Sequence, residues 1–366
     1  LYLCQTSLPA ADGQLARIAR ALLAQGANPN AEYHWDWHPE LPRTALWGAV
    51  CTVKDLGLAE ALLQSSARPT DGVTMHIAAG GGDLAALELL ARHGADFNGI
   101  PGGLPPLPYM LGWSTNLAGA RWLLEHGADV NRTAGTLGEA AIHHAATRLG
   151  TGMMELLAQH GADIHQLGGD GRTPLALAQL NGNEAVAQWL IAHGAHDPLS
   201  PLEQMVAACA RGDRTGAEAL LQANPGLRQQ LGPEHHLLLQ TQAERGNVGA
   251  LEAMLACGFD PNVKDGDGVT ALHRAAMAGS PAAVAALLAH GASVTACDGM
   301  FAATPLVWAV EGWGHQKDAR DGDGFVEVAR RLLAAGSPRE WLAPEHAPQQ
   351  EGTQEALAEL CRLARI

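Results

Sequence analysis

The residues of this chain best suited to chemistry are histidines, carboxylates and tryptophans that stand outside any regular pattern. From Tyr33 to Glu40 the sequence reads Tyr-His-Trp-Asp-Trp-His-Pro-Glu, with two histidines, two tryptophans and two carboxylates in eight residues. His34 and His38 would hold a metal together only on a helix, with Asp36 and Glu40 as further ligands. Trp35 and Trp37 between the two, and Pro39 after them, argue against a helix, and no metal is assigned. Asp318, Asp321 and Asp323 lie in a second unusual stretch, Gly314 to Gly324. Their spacing is not that of a calcium loop, and a solvated Gly/Asp loop is the better reading. No nucleophile elbow, phosphate loop, paired CxxC or cofactor motif occurs, so no cofactor is assigned.

The elements that must position these residues repeat. Ten pairs of large apolar residues, from Leu22-Leu23 to Leu332-Leu333, recur along the chain, and six lead into Gly-Ala, as at Gly94-Ala95 and Gly291-Ala292. The clearest copy begins at Gly268. Thr270 is a suitable N-cap whose hydroxyl accepts a backbone N–H. Leu272, Ala275 and Ala276 then share one helical face. Gly279 ends that helix and Pro281 fits the first turn of a second, whose stripe is Val284, Leu287 and Leu288. Gly291 supplies a left-handed stop. One such pair cannot bury its apolar face alone, whereas stacked neighbours can. Aligned starts fall at Thr44, Val73, Pro105, Ala140, Thr173, Glu203, Leu237, Thr270 and Thr304, spaced 29 to 35 residues apart. A period of this length marks stacked repeats.

The motifs are Thr270-Ala271-Leu272-His273-Arg274-Ala275-Ala276, Thr173-Pro174-Leu175, Val73-Thr74-Met75-His76 and Thr304-Pro305-Leu306, with tails such as Gly127-Ala128-Asp129-Val130-Asn131. They resemble the ankyrin repeat, over about ten repeats and nearly the whole chain. The resemblance implies an all-α solenoid of stacked helix–turn–helix pairs with short hairpin fingers. Residues 1–196 form an N-terminal block, 197–236 a degenerate joint repeat, with the joint around Pro198 to Pro201 expected to open early, and 237–344 a C-terminal block. Residues 345–366 form a capping helix with Ala356, Leu357, Leu360 and Leu363 on one stripe.

The resemblance also sorts the histidines. His76, His143 and His273 take the repeat position that is usually a structural hydrogen-bonder. His93, His126, His160, His193 and His290 precede a helix-ending glycine, where an imidazole meets the last carbonyls. His34, His38, His144, His235, His236, His315 and His346 stay open. The residue after the repeat histidine faces the concave groove in this family. That register places Tyr109, His144, Leu177, Thr241, Arg274 and Trp308 there, with Trp113, Arg148, Arg211, Glu244 and Glu311 close by.

The function expected is binding: an adaptor or inhibitor that holds a partner protein in its groove. Its anchors would be Trp35, Trp37, Tyr109, Trp113, Trp308 and Trp313, with His144, Arg274 and Glu311 beside them. The alternative is a small-molecule-binding protein or enzyme, its groove closed by insertions at 31–43 and 314–324, with His144 and Glu311 as acid–base residues. A formal net charge of -15 disfavours a nucleic-acid partner. No apolar run reaches spanning length, and no membrane partner is expected. Six scattered cysteines suit a reducing cytoplasm, and the Ala- and Gly-rich composition suggests a bacterial source. The chain begins at Leu1 without Met, so a targeting segment before it stays open.

Overall fold

In the computed structural model, residues 14–35, 38–71, 73–98, 105–134, 138–316, 322–338 and 362 are described, without the side chains of 34–42 and 315–323. The fold is all-α, built of helix pairs at the expected period. Two compact units result: residues 1–178 with 185–197, and residues 179–184 with 198–366.

In the first unit, Thr74–Gly81 packs on Pro106–Leu111, which packs on Ala141–Arg148; Leu84–Arg92 packs on Leu117–Glu125. First helices of each pair thus meet first helices, and second helices meet second. Leu58, Leu87, Leu90, Met110, Leu123, Ile142 and Leu157 fill its core. The second unit repeats the arrangement. Leu238–Glu244 packs on Ala271–Met277 and that on Pro305–Gln316, while Val248–Ala256, Pro281–Ala289 and Gly322–Ala334 form the other row. Its core holds Met205, Leu251, Met254, Leu272, Leu287, Val328 and Leu332.

Local chemistry sets the helix ends. The second helix of a pair starts at a short polar side chain that accepts the N–H three residues on. Asp55 does so for Leu58 (3.0 Å), Asp83 for Ala86 (3.0 Å), Asn116 for Gly119 (2.9 Å) and Asp213 for Gly216 (2.9 Å). Several second helices end at histidines, as expected: the Nδ1–H of His126 donates to Trp122 O (2.8 Å), and His193 does the same to Trp189 O (2.8 Å). The following glycine, Gly127 with φ 93°, takes the left-handed region.

Several fingers are each stitched to the next by one asparagine. Asn131 Nδ2 donates to Gly161 O (3.0 Å) while its Oδ1 accepts from Asp163 N (2.8 Å). Asn98 and Asn262 make the same two-way bond to the next repeat. The tail motif is therefore the neighbour-to-neighbour coupling of the solenoid.

Several sequence expectations are corrected. The helix start near Glu203 is shifted: Pro201–Ala210 begins after Ser200, and Ser200-Pro201-Leu202-Glu203 is the starting tetrad. Ser200 N donates to Glu203 Oε2 (2.9 Å) and Glu203 N to Ser200 Oγ (3.3 Å), a complete capping box. Thr270 does not cap through its hydroxyl, because the His273 imidazole does that work instead. Leu177 is buried in the core rather than lining the groove. In keeping with the sequence argument against a helix there, Glu32–Trp35 pairs as a strand antiparallel with His38–Thr44, with Trp35 opposite His38. Both described ends of the insertion at 314–324 are helical, since Pro305–Gln316 runs into it and Gly322–Ala334 starts within it. Asp318 and Asp321, His346 and the capping segment from Gln354 lie outside the described residues, save the helical Arg362.

Candidate functional site

The repeat histidines come first, because they fix the helices on which the site is built. His273 Nδ1 accepts from Thr270 N (3.2 Å) and lies 2.8 Å from Thr270 Oγ1; its Nε2 faces Ala303 O (3.1 Å). A backbone N–H can only donate and a carbonyl only accept, so the ring is the neutral Nε2–H tautomer. His143 is held the same way between Ala140 N (3.0 Å) and Gln166 O (3.0 Å). Burial keeps both imidazoles below their usual range. Where the histidine is replaced, the threonine takes over: Trp47 N donates to Thr44 Oγ1 (2.9 Å) and Ala176 N to Thr173 Oγ1 (3.1 Å).

The same logic settles two histidines left open by the sequence. His235 accepts from Gly232 N (3.0 Å) in a helix start of its own, and His236 Nδ1 accepts from Asp260 N (3.1 Å). Both are structural. Gln240 stands at the repeat-histidine position and reaches Val269 O (2.8 Å), the same crossing to the next finger.

In the first unit the position after the repeat histidine carries Tyr109 and His144. Tyr109 meets His76 edge-on, centroids 4.8 Å apart. Trp113 follows the same short helix and is 47% exposed, its ring lying directly on Gly80. A Cβ at Gly80 would come within 2.0 Å of the Trp113 ring, so only glycine leaves the indole its place. Ser114 Oγ donates to Gly80 O (2.8 Å) and pins the turn that presents it. His144 lies beside Gly112, whose carbonyl accepts from Arg148. Its Nε2 stands 3.7 Å from Glu139 Oε2. Burial, with His143 and Arg148 nearby, depresses the His144 imidazole to about 4. Burial also pushes the Glu139 carboxyl up, helped by Asp170. At neutral pH His144 is a neutral imidazole beside a carboxyl group of raised pKa.

In the second unit that position carries Arg274 and Trp308. Arg274 pairs with Asp265 (3.4 Å) and lies over the Trp308 ring, 5.6 Å from its centroid. Trp308 Nε1 donates to Asp298 Oδ2 (2.7 Å). Asp298 Oδ1 accepts from Phe301 N (2.7 Å) and Met300 N (3.1 Å), folding a finger whose tip exposes Met300 and Phe301. Glu311 and Trp313 stand further along the helix; Trp313 is partly buried against the core, edge-on to Phe325 at 6.1 Å.

His144, Arg274 and Trp308 are thus each tied to a carboxylate in the finger preceding their own helix. Sequence reasoning missed Glu139, Asp265 and Asp298 in that role, although each sits five to ten residues before its partner. Tyr109, Trp113 and His144 belong to the first unit, and Arg274, Trp308, Glu311 and Trp313 to the second. His144 and Glu311 therefore fall in different units. Trp35 is placed only by its strand, and Trp37 lies outside the described residues.

Comparison with known proteins agrees with this architecture. The family model described as ankyrin repeats matches residues 114–201, 204–298 and 238–321. Mouse Rabankyrin-5 is 27% identical over 224 residues, covering 56% of this chain and 19% of that protein. The potassium channel AKT1 of Oryza sativa subsp. indica is 42% identical over 64 residues, 18% of this chain and 7% of the channel. Protein PhlB of Serratia liquefaciens is 36% identical over 103 residues, 28% of this chain and 44% of PhlB. The chain spans less than half the length of each of these relatives.

Proposed function

Since the chain belongs to the ankyrin-repeat family, whose repeats generally serve as protein–protein interaction scaffolds, we propose that it holds a partner protein against the groove of its first unit. The observation that carries this reading is Trp113: a large apolar ring, nearly half exposed, seated on Gly80 and pinned by Ser114. A rigid, exposed indole next to Tyr109 is the kind of group that supplies binding energy at little entropic cost. Arg274 and Trp308, held by Asp265 and Asp298, offer a comparable surface in the second unit. Trp35, Trp37, Glu311 and Trp313 remain further anchors of this reading. The net charge of -15 favours a basic or neutral partner surface, with association slowed by salt.

We place the protein in the cytoplasm of a bacterium, as an adaptor or inhibitor. Among the described residues no helix is long and apolar enough to cross a membrane. The test is affinity for a purified partner: Trp113→Ala should weaken binding by roughly tenfold or more, whereas Leu167→Ala, on an exposed finger, should not. Unchanged affinity in Trp113→Ala overturns the groove assignment.

A second reading rests on the His144–Glu139 pair. A neutral imidazole beside a carboxyl of raised pKa can pass a proton, which suits a small-molecule ligand or acid–base chemistry. A metabolite thermal-shift screen separates the two readings. A specific ligand raises the melting temperature by mass action, and the shift should vanish in His144→Gln.

A further inference from the structure

The outer face of the first unit carries a charge pattern that neither reading uses. Leu84–Arg92 and Leu117–Glu125 are neighbouring second helices of nine residues each, packed side by side. Ala86, Leu87 and Leu90 are buried on the inner side of one, and Ala120, Leu123 and Leu124 on that of the other. The opposite sides face water. One reads Leu84, Glu88, Arg92 and the other Leu117, Arg121, Glu125, each series at i, i+4 and i+8 and exposed throughout.

The two series stand level. Both helices start at equivalent caps, Asp83 and Asn116, and the turn at Gly82 lies against Asn116, whose Nδ2 a Cβ there would approach to 2.5 Å. Leucine is therefore beside leucine, and each charge beside its opposite. Neighbouring helix axes lie about 10 Å apart, too far for these outward side chains to pair directly. Among the described residues none of Glu88, Arg92, Arg121 and Glu125 makes an ion pair or a side-chain hydrogen bond. The leucines are unusual as well. Leu84 is 41% and Leu117 40% exposed, whereas later second helices start with Thr151, Glu184 and Arg214, so the repeat does not require an apolar residue there.

We propose that a second copy of this chain binds on this face, in a two-fold dimer whose axis runs parallel to both helices and between them. That axis lays Leu84–Arg92 of one copy along Leu117–Glu125 of the other, in the same direction. Leu84 then meets Leu117, Glu88 meets Arg121 and Arg92 meets Glu125, and the symmetry makes each contact twice. An axis at right angles in the same plane would lay each helix antiparallel on its own counterpart. It would set Glu88 against Glu88 and Arg121 against Arg121, so charge selects the first arrangement. The face is thus its own complement, which is the reason to assign it to a second copy.

One approach is adverse. At the rim Glu60 comes toward Glu155 of the second copy, where solvent and salt screen the pair. Two leucines per copy and solvent-exposed ion pairs make a small contact, so the dimer should dissociate on dilution. Tyr109 and Trp113 stand on a first helix and the turn after it, so self-association does not depend on what the groove holds.

The test is sedimentation velocity of the full chain, without any partner, across about 1–200 µM in low salt. The sedimentation coefficient should rise from monomer to dimer with concentration, and added salt should reverse the rise. Glu88→Arg or Arg121→Glu alone sets like charges face to face and should weaken association roughly tenfold or more. An equimolar mixture of the two variants should dimerise again, because each supplies the charge that the other lacks. Circular dichroism like that of the native chain verifies that both variants fold. Where one does not, hydroxyl-radical footprinting of the native chain decides, with Leu84 and Leu117 protected at high concentration and Leu167 unchanged. A native chain that stays monomeric throughout, leaving this face to a different protein, overturns the proposal. So does a dimer indifferent to the single substitutions, a mixture no more associated than its components, or protection confined to another surface.

Discussion

Trp308 donates its indole N–H to the buried Asp298 carboxylate, and the other oxygen of the same carboxylate folds the finger that bears Met300 and Phe301. Trp308 and a finger tip are thereby one mechanical unit. Arg274 with Asp265 repeats the connection one repeat earlier. The finger is also held in an unfavourable conformation, since Ala302 has φ 51°. A non-glycine residue there needs support from its surroundings, and Asp298 supplies it.

Trp308→Phe keeps the ring and removes the donor. The carboxylate loses one of its charge-assisted bonds, at an expected cost of about 1.5–3 kcal/mol. The loss should be local, so amide exchange at Met300 and Phe301 should accelerate while Leu251 and Met254 keep their protection. Unchanged exchange at the finger would show that the indole bond does not hold it.

Asn131→Ala removes both bonds across one junction, to Gly161 O and from Asp163 N. The site is exposed, so water replaces part of the loss, and about 1–2 kcal/mol is expected from two bonds. Nearest-neighbour coupling predicts that exchange speeds up in Thr151–Gln159 and in Leu117–Glu125, with the second unit unaffected. Uniform acceleration throughout the chain would contradict that picture.

The helix pairs, their caps and the structural role of most histidines were legible because each depends on residues close in sequence. The shifted start at Ser200 was not, since the serine and glutamate that replace threonine and histidine do the same capping with different chemistry. His235 and Gln240 were missed for a related reason: position in the stack, not residue type, gives them their bonds. The carboxylate partners Glu139, Asp265 and Asp298 depend on how a finger folds back over its helix, which periodicity does not encode. Trp113 stood out in the sequence as an aromatic where a small residue is usual, but its seat did not, because Gly80 lies one repeat away.

The depressed His144 imidazole makes stability depend on pH with a definite sign. The unfolded residue takes a proton near 6.5, whereas the folded one waits until about 4. Between these values the unfolded chain binds more protons, so the contribution is complete above 6.5 and is lost as pH falls toward 4. Each pH unit in that window is worth up to about 1.4 kcal/mol. His143 and His273 act in the same direction, and Glu139, raised by burial, acts in the opposite one. The comparison that isolates His144 is the urea midpoint at pH 7 and pH 5 for the native sequence and for His144→Gln. The variant should lose less on acidification; an equal loss would mean that His144 titrates normally in the fold.

Two glycines of the first unit test whether the groove is shaped by close approach or by accident of composition. A Cβ at Gly119 would lie 1.9 Å from Ala79 O, a backbone atom that cannot swing aside. Gly119→Ala must therefore push Leu117–Glu125 away from Thr74–Gly81, and the cost should reach about 1–3 kcal/mol as core overpacking does. The three atoms nearest a Cβ at Gly80 all belong to the Trp113 ring, the closest at 2.0 Å, and a side chain that is 47% exposed can be pushed outward where a backbone carbonyl cannot. Gly80→Ala should accordingly cost less stability but release the indole from its seat. A red shift of the Trp113 fluorescence and partner affinity as weak as in Trp113→Ala are expected, with the urea midpoint shifted less than in Gly119→Ala. If Gly80→Ala binds the partner normally, the fixed position of Trp113 is not what the partner reads.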